Sequence, residues 1–300
     1  MYERELKLGL VTYASYPEII ADSDELLQRM QEFMLDSVFE VLEIPYSNNP
    51  KVSRELRSMA ASSCVDLIVS AGPNFALENW TLCSPCDHIR QQGIDRMKRV
   101  IDFSNSIGAS QVVFMSGADD PPYREEMLTL LRQSIEILLG YAHKEQYLSL
   151  EPADREITHL QLLGPSTEVR DLLGDIPEEQ FGITLDMSHI PQLNEELRYA
   201  CMTLGAQVSH AHLANTVLAD RQHLCYGDAH PRLGIVGSEF SYQDASMFVQ
   251  HLQQYCFMQR VYYPLGLPVV SMEVKPMPDE NNDLTLAGAK RDLFRSTRAL

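Results

Sequence analysis

A chain of 300 residues with 45% hydrophobic side chains is long enough to bury a large core. Its 24 Lys and Arg against 42 Asp and Glu leave a formal charge of −18, the wrong sign for a protein that gains affinity by neutralising phosphates; no nucleic-acid partner is expected. No run approaches the roughly 18 apolar residues that span a bilayer, the opening MYERELKLGL lacks a signal-peptide pattern, and six cysteines without dense pairing suit reduced thiols, so a cytoplasmic protein with no membrane partner is expected.

In chain order, the first β-rich run is KLGLVTY (7–13). Asp22 follows as a helix N-cap, with Glu25 three residues on as the second half of a capping box. The next runs are SVFEVLEIP (37–45), VDLIVSAG (65–72) and ASQVVFMSG (109–117). Between the third and fourth lies Cys83-Ser-Pro-Cys86, read as two unpaired thiols because no second CxxC follows. Trp80, Cys83 and His88 on the same loop are candidates for a pocket wall. In YREEMLTLLRQSIEILLGYAHKE, Leu128, Leu131, Ile135, Leu138 and Ala142 recur at steps of three and four and predict an amphipathic helix. Four further runs follow: QYLSLEP (146–152), FGITLDMSH (181–189), QVSHAHLAN (207–215) and LPVVSMEVKP (267–276). PMPDENND (276–283) reads as a solvated loop before a last helix, LTLAGAKRDLFRSTRAL, that reaches the C-terminus. His143, His159 and His251 are expected at the surface or in packing.

Eight strands, each followed by a helix, with no repeat or linker-like break, predict a closed (β/α)8 TIM barrel as one domain over residues 1–300. An open doubly wound sheet is disfavoured because no glycine-rich phosphate loop follows the first strand.

In such barrels the chemistry gathers where the strands end. The fifth ends in Glu151, the sixth in Asp186 and then His189, the seventh in His212 and the eighth in Glu273. Three carboxylates and an imidazole at one mouth repel unless a cation joins them; one divalent ion, Mn²⁺, Mg²⁺, Co²⁺ or Zn²⁺, suits hard oxygens plus one nitrogen. Two positions back on each strand, pointing the same way, stand Ser149, Thr184, His210 and Ser271. That polar layer beneath the ion is the hydrogen-bonding support that metal ligands need, with His210 as its imidazole. The intervening Leu150, Leu185, Ala211 and Met272 are expected to face the helices.

LSLEP, the Asp-x-x-His of LDMSHI, HAHLAN and SMEVKP, together with GIDRMKRVIDFSNSIGASQVVFMSG (93–117), resemble the xylose-isomerase-like TIM-barrel superfamily over most of the chain. That group holds sugar isomerases and epimerases, inosose dehydratases and, as a more distant relative, endonuclease IV. The resemblance implies that Glu151, Asp186, His212 and Glu273 hold the metal, that Glu151 and Glu273 also move protons, and that His189 touches the substrate. Arg155, four residues after the first metal Glu, keeps a basic position of the ketose 3-epimerases. Ile157 replaces a family Glu, with Glu156 next to it, and Leu218 stands where a substrate-binding Arg is expected; Arg221 and His223 lie on a longer loop.

GDAHPRLG offers Asp228 and His230 where endonuclease IV has a zinc-binding Asp-x-His element, but the two early histidines of that enzyme have no counterpart. Asp228 and His230 are therefore expected to contact substrate at the lid of a one-metal pocket, or to hold a second, weaker ion. The implied activity is a metal-dependent sugar epimerase or aldose–ketose isomerase, which abstracts a proton beside a carbonyl to give a metal-stabilised enediolate. Its partner would be a small sugar or sugar derivative, and barrels of this kind frequently form homo-oligomers. A lyase or dehydratase on a sugar or inositol derivative, an endonuclease-IV-like phosphodiesterase and a non-catalytic sugar binder are the alternatives.

Overall fold

Eight parallel strands close on themselves in sequence order, β1 (Lys7–Val11), β2 (Val41–Pro45), β3 (Asp66–Ser70), β4 (Gln111–Phe114), β5 (Tyr147–Leu150), β6 (Phe181–Asp186), β7 (Val208–Leu213) and β8 (Val269–Met272), with β1 also paired to β8. The computed structural model describes residues 5–142 and 146–298; His143 and the end of the expected C-terminal helix lie outside them. Eight principal helices cover the barrel: α1 (Ser23–Met34), α2 (Pro50–Ser63), α3 (Asp87–Ile107), α4 (Arg124–Tyr141), α5 (Ser166–Leu173), α6 (Leu197–Leu204), α7 (Tyr242–Tyr255) and α8 (Asn282–Thr297). The expected (β/α)8 TIM barrel is the observed fold.

The strands are shorter than the runs that predict them. β2 begins at Val41 rather than at residue 37, because the Asp36 side chain accepts from the Val38 N–H and holds the chain in a turn before the strand. At the start of α1, Asp22 accepts from the N–H groups of Asp24 and Glu25 as expected. The return half of that capping box is not made: Glu25 pairs with Arg29 instead, at 2.8 Å. A complete capping box opens α7, between Ser241 and Asp244.

Period two sorts the barrel into an outside and an inside. Leu150, Leu185, Ala211 and Met272 join the large core between strands and helices, as expected. Val41, Ile68, Val113 and Val269, out of phase with them, form a small separate cluster that plugs the barrel. The layer next to that plug is polar: Ser149, Thr184, His210 and Ser271 are all inaccessible to solvent. Ser149 and Thr184 share a hydrogen bond of 2.7 Å, and His210 Nε2 meets Ser271 Oγ at 2.8 Å.

Candidate metal centre and cavity

One ligand atom from each of Glu151, Asp186, His212 and Glu273 lies within 4.8 Å of the others, and all four residues are buried. They come from the ends of four neighbouring strands, where the parallel register lines Asp186 up with His212 and His212 with Ser271. His212 Nδ1 faces the centre, 3.2 Å from Glu151 Oε1, 2.9 Å from Glu273 Oε2 and 3.8 Å from Asp186 Oδ2.

This donor set fits a divalent cation. Asp186 Oδ2 and His212 Nδ1 are buried without a hydrogen-bond partner, the condition of ligand atoms that await an ion. Among the described residues, the ion-pair partners of Glu151, Asp186 and Glu273 are all imidazoles. Three oxygens and one nitrogen suit Mg²⁺, Mn²⁺, Co²⁺ or Zn²⁺.

The crowding is visible in the protonation of the group. Burial pushes the Asp186 carboxyl up to about 6, against the pull of His189 and His230. Burial would also raise Glu151, but His212 and His189 beside it hold it down at about 2. Burial alone would depress the His212 imidazole; Glu43, Glu151 and Glu273 keep it well above its ordinary value.

Glu43 is a partner that sequence reasoning missed. It sits in mid-β2 with no solvent exposure, and its Oε2 accepts from His212 Nε2 at 3.1 Å. Tyr13 donates to its other oxygen at 2.9 Å and also reaches Ser70 Oγ at 2.9 Å. Glu43 thereby holds a proton on Nε2, which leaves Nδ1 as the nitrogen that could bind an ion once it gives up its own proton. His210 lies beneath, 4.8 Å from the His212 ring, its Nδ1 toward Gln111 Nε2 at 3.4 Å. Burial and the neighbouring His212 keep it neutral, with its pKa well below the ordinary value.

A second cluster stands over the first. Asp228 is held between His230 Nε2 at 2.6 Å and His159 Nε2 at 2.6 Å, with His189 Nδ1 at 3.3 Å. His230 then reaches Glu273 at 3.1 Å, and His189 reaches Glu151 at 3.7 Å. Two sets within it, His159 with His189 and Asp228, and Asp186 with His189 and His230, can also gather around an ion. Both Asp228 oxygens are already taken by imidazoles, unlike Asp186 Oδ2. His230 is buried and, with φ of 45°, bent into the left-handed region beside Glu273, where it lines the cavity with Asp228.

The remaining expectations divide. His159 is not a surface or packing residue; the segment after β5 folds back and carries it into the cavity wall. Arg155 points away from the cavity, because its guanidinium is used up by the Leu162 carbonyl and Glu168. Glu156 is exposed. Trp80 lines a neighbouring cleft, not the cavity over the four candidate ligands. Cys83 is buried and Cys86 exposed, both as free thiols. His251 packs its ring against Tyr255. Among the described residues, no helix is long and apolar enough to cross a membrane.

The family model described as xylose isomerase-like TIM barrel matches residues 29–240. The chain belongs to that family. No curated protein matches it in sequence. Solved structures of similar shape include a D-psicose 3-epimerase determined in the presence of D-fructose, at 15% identity, TM-score 0.66, and coverage of 98% of this chain and 97% of that one. The 3-keto-D-glucoside 4-epimerase YcjR from E. coli matches at 17% identity and TM-score 0.67, over 98% of this chain and 100% of its own. An IOLI protein with a bound zinc atom matches at 12% identity and TM-score 0.71, over 98% and 99%. At such identities the likeness is one of fold.

Proposed function

We infer that this xylose isomerase-like barrel is a metal-dependent sugar epimerase or aldose–ketose isomerase. The observation that carries the reading is the convergence of four buried donors, two of them with orphaned ligand atoms, at the floor of a cavity that both glutamates line. Glu151, Asp186, His212 and Glu273 would hold the ion. Bound there, it would polarise a substrate carbonyl and stabilise charge developing on the neighbouring oxygens.

The chain supplies the proton chemistry. Glu151 and Glu273 flank His212 on two sides and both face the cavity, so they can address a bound polyol from different directions. One carboxylate takes the proton from the carbon beside the carbonyl, and the other returns one, which inverts a stereocentre. A single group that moved the proton between adjacent carbons would give an isomer instead. His189 and His230, each within reach of one glutamate and of Asp228, orient the two carboxylates, and His189, whose Nδ1 is buried without a hydrogen-bond partner, would present a ring nitrogen to a substrate hydroxyl. The names of the similar epimerases favour ketoses and keto-glucosides as the substrates to try first.

The test is exchange from D₂O. Metal-loaded protein incubated with D-fructose, D-psicose, D-tagatose or a 3-keto-glucoside should place deuterium at the carbon beside the carbonyl. Glu151→Gln should reduce that exchange by about 10²-fold or more. A wild-type protein that binds metal and hydrolyses phosphodiesters without exchange would refute the reading.

A further inference from the structure

The cavity over the four candidate ligands has a volume of about 420 Å³, and a larger cleft of about 610 Å³ lies beside it at the same end of the barrel. His159 and Ala76 line both. The walls of the cleft are tied in place. The segments after β4 and β5 are zipped together: the Asp119 N–H donates to the Leu160 carbonyl at 2.7 Å, the Leu162 N–H to the Gly117 carbonyl at 2.9 Å, and the Gly117 N–H to Gln161 Oε1 at 2.7 Å. The buried Asp154 carboxylate gathers the N–H groups of Glu156, Ile157, Thr158 and His159, and so fixes the turn that carries His159 to the boundary between the two spaces. Leu160 is held at φ of 51°, a left-handed conformation that a bulky residue keeps only where its surroundings impose it.

The lining of the cleft mixes two chemistries. Pro85 and Leu160 offer hydrocarbon, while Asn79, Ser84, Asp120 and Thr158 offer hydrogen-bonding groups. The Asn79 amide and the Asp120 carboxylate stand on exposed residues and have no side-chain partner. No Lys or Arg is among the described lining residues, and the other carboxylate there, Asp119, is paired with Arg124. A phosphate would thus find no free cation in the cleft. A purely apolar group would cover an amide and a carboxylate without pairing them, which is costly. A glycosyl ring meets both demands. It carries C–H surface together with hydroxyls that donate to a carboxylate and pair with an amide.

We propose that this cleft is a second sugar subsite and that the substrate is a glycosyl-ketose: the ketose unit, which carries the carbonyl, lies over the four candidate ligands, and the glycosyl unit lies in the cleft beyond His159. The proposal rests on the reading of the first cavity as a metal-dependent ketose site and adds what the ketose carries. Proton abstraction stays beside the carbonyl of the ketose unit, so the glycosidic bond is left intact.

Binding, which needs no turnover, tests it. The full-length chain loaded with Zn²⁺, and separately with Mn²⁺, is titrated with D-fructose and with disaccharides in which a fructose unit keeps its free carbonyl end and carries a glycosyl group: lactulose, maltulose and isomaltulose. At least one disaccharide should bind about tenfold more tightly than D-fructose, the worth of one hydrogen bond to a charged group. Asn79→Gly removes the amide while tolerating the left-handed backbone at that position, φ of 52°, and Asp120→Ala removes the carboxylate at an exposed position. The double variant should bind that disaccharide and D-fructose within about twofold of each other and keep the wild-type affinity for metal. Where the double variant loses metal affinity, Asp120→Ala alone is read in its place and should cut the advantage at least about threefold. The proposal is overturned if no disaccharide exceeds D-fructose, the case of no detectable binding by either included, or if the advantage survives in the variant. Exchange of deuterium into D-fructose without a disaccharide gain defeats the second subsite alone. A disaccharide gain without exchange into any ketose defeats the epimerase reading alone.

Discussion

Glu43 separates the support of the proposed metal centre from its ligands. It touches no proposed ligand except His212, whose Nε2 donates to it across 3.1 Å in a site closed to water. A glutamine of the same shape can still accept there, but its amide can equally turn a donor toward the ring and favour the tautomer with the proton on Nδ1. Glu43→Gln should therefore weaken metal binding about 10–100-fold, the usual cost of losing such a partner. Chelator competition measures the affinity, and unchanged affinity would remove Glu43 from this role. The residue was legible only in part. A carboxylate between Leu42 and Ile44 in an apolar strand is a warning of a buried partner, yet β2 ends in no ligand type and so escaped a search of strand ends. His159 escaped for the opposite reason: it stands in an irregular segment after β5, where no periodicity says which way a side chain points.

At the scale of elements, alternation carried the fold. Strands buried on both faces leave continuous apolar runs, and β-rich runs alternating with helical spacing admit few topologies. The same alternation separates candidate ligand positions from core positions on β5 to β8, which is why the polar layer of Ser149, Thr184, His210 and Ser271 is readable from the sequence. Strand ends were less legible, since turns such as the one at Asp36 depend on side-chain hydrogen bonds rather than on hydrophobic pattern. Contacts between a helix and a distant loop left no trace at all. Gly93 on α3 lies against the loop after β3 so closely that a Cβ there would sit 2.0 Å from the carbonyl oxygen of Thr81. Backbone, unlike a flexible side chain, cannot swing aside. Gly93→Ala should thus destabilise the protein by about 1–3 kcal/mol in spite of the better helix propensity of alanine. Equal or higher stability in chemical denaturation would show that the helix can shift without cost.

Over the whole molecule, the proposed centre ties together strands that the chain reaches at Glu151, Asp186, His212 and Glu273, and an ion held only by the folded barrel acts as a cross-link. At a free metal concentration of ~100 times the dissociation constant, such binding contributes about 2.7 kcal/mol. Removing it with EDTA should lower the unfolding temperature by several degrees. The pH dependence of that difference is the sharper measurement. Without metal, the His212 imidazole is raised well above its ordinary value by the carboxylates around it, and the bonus from this charged imidazole is complete below the unfolded pKa of about 6.5 and fades as pH rises through the folded one. With metal, His212 Nδ1 has to be free of its proton, and so does Asp186, whose carboxyl is pushed up to about 6. Raising the pH thus weakens the metal-free protein at this site and strengthens its hold on the ion. The gap in unfolding temperature between metal-loaded and EDTA-treated protein should widen from pH 6 toward alkaline pH. A gap that narrows over that range would mean that the four side chains do not share an ion, and that the imidazole–carboxylate pairs alone hold the barrel mouth together.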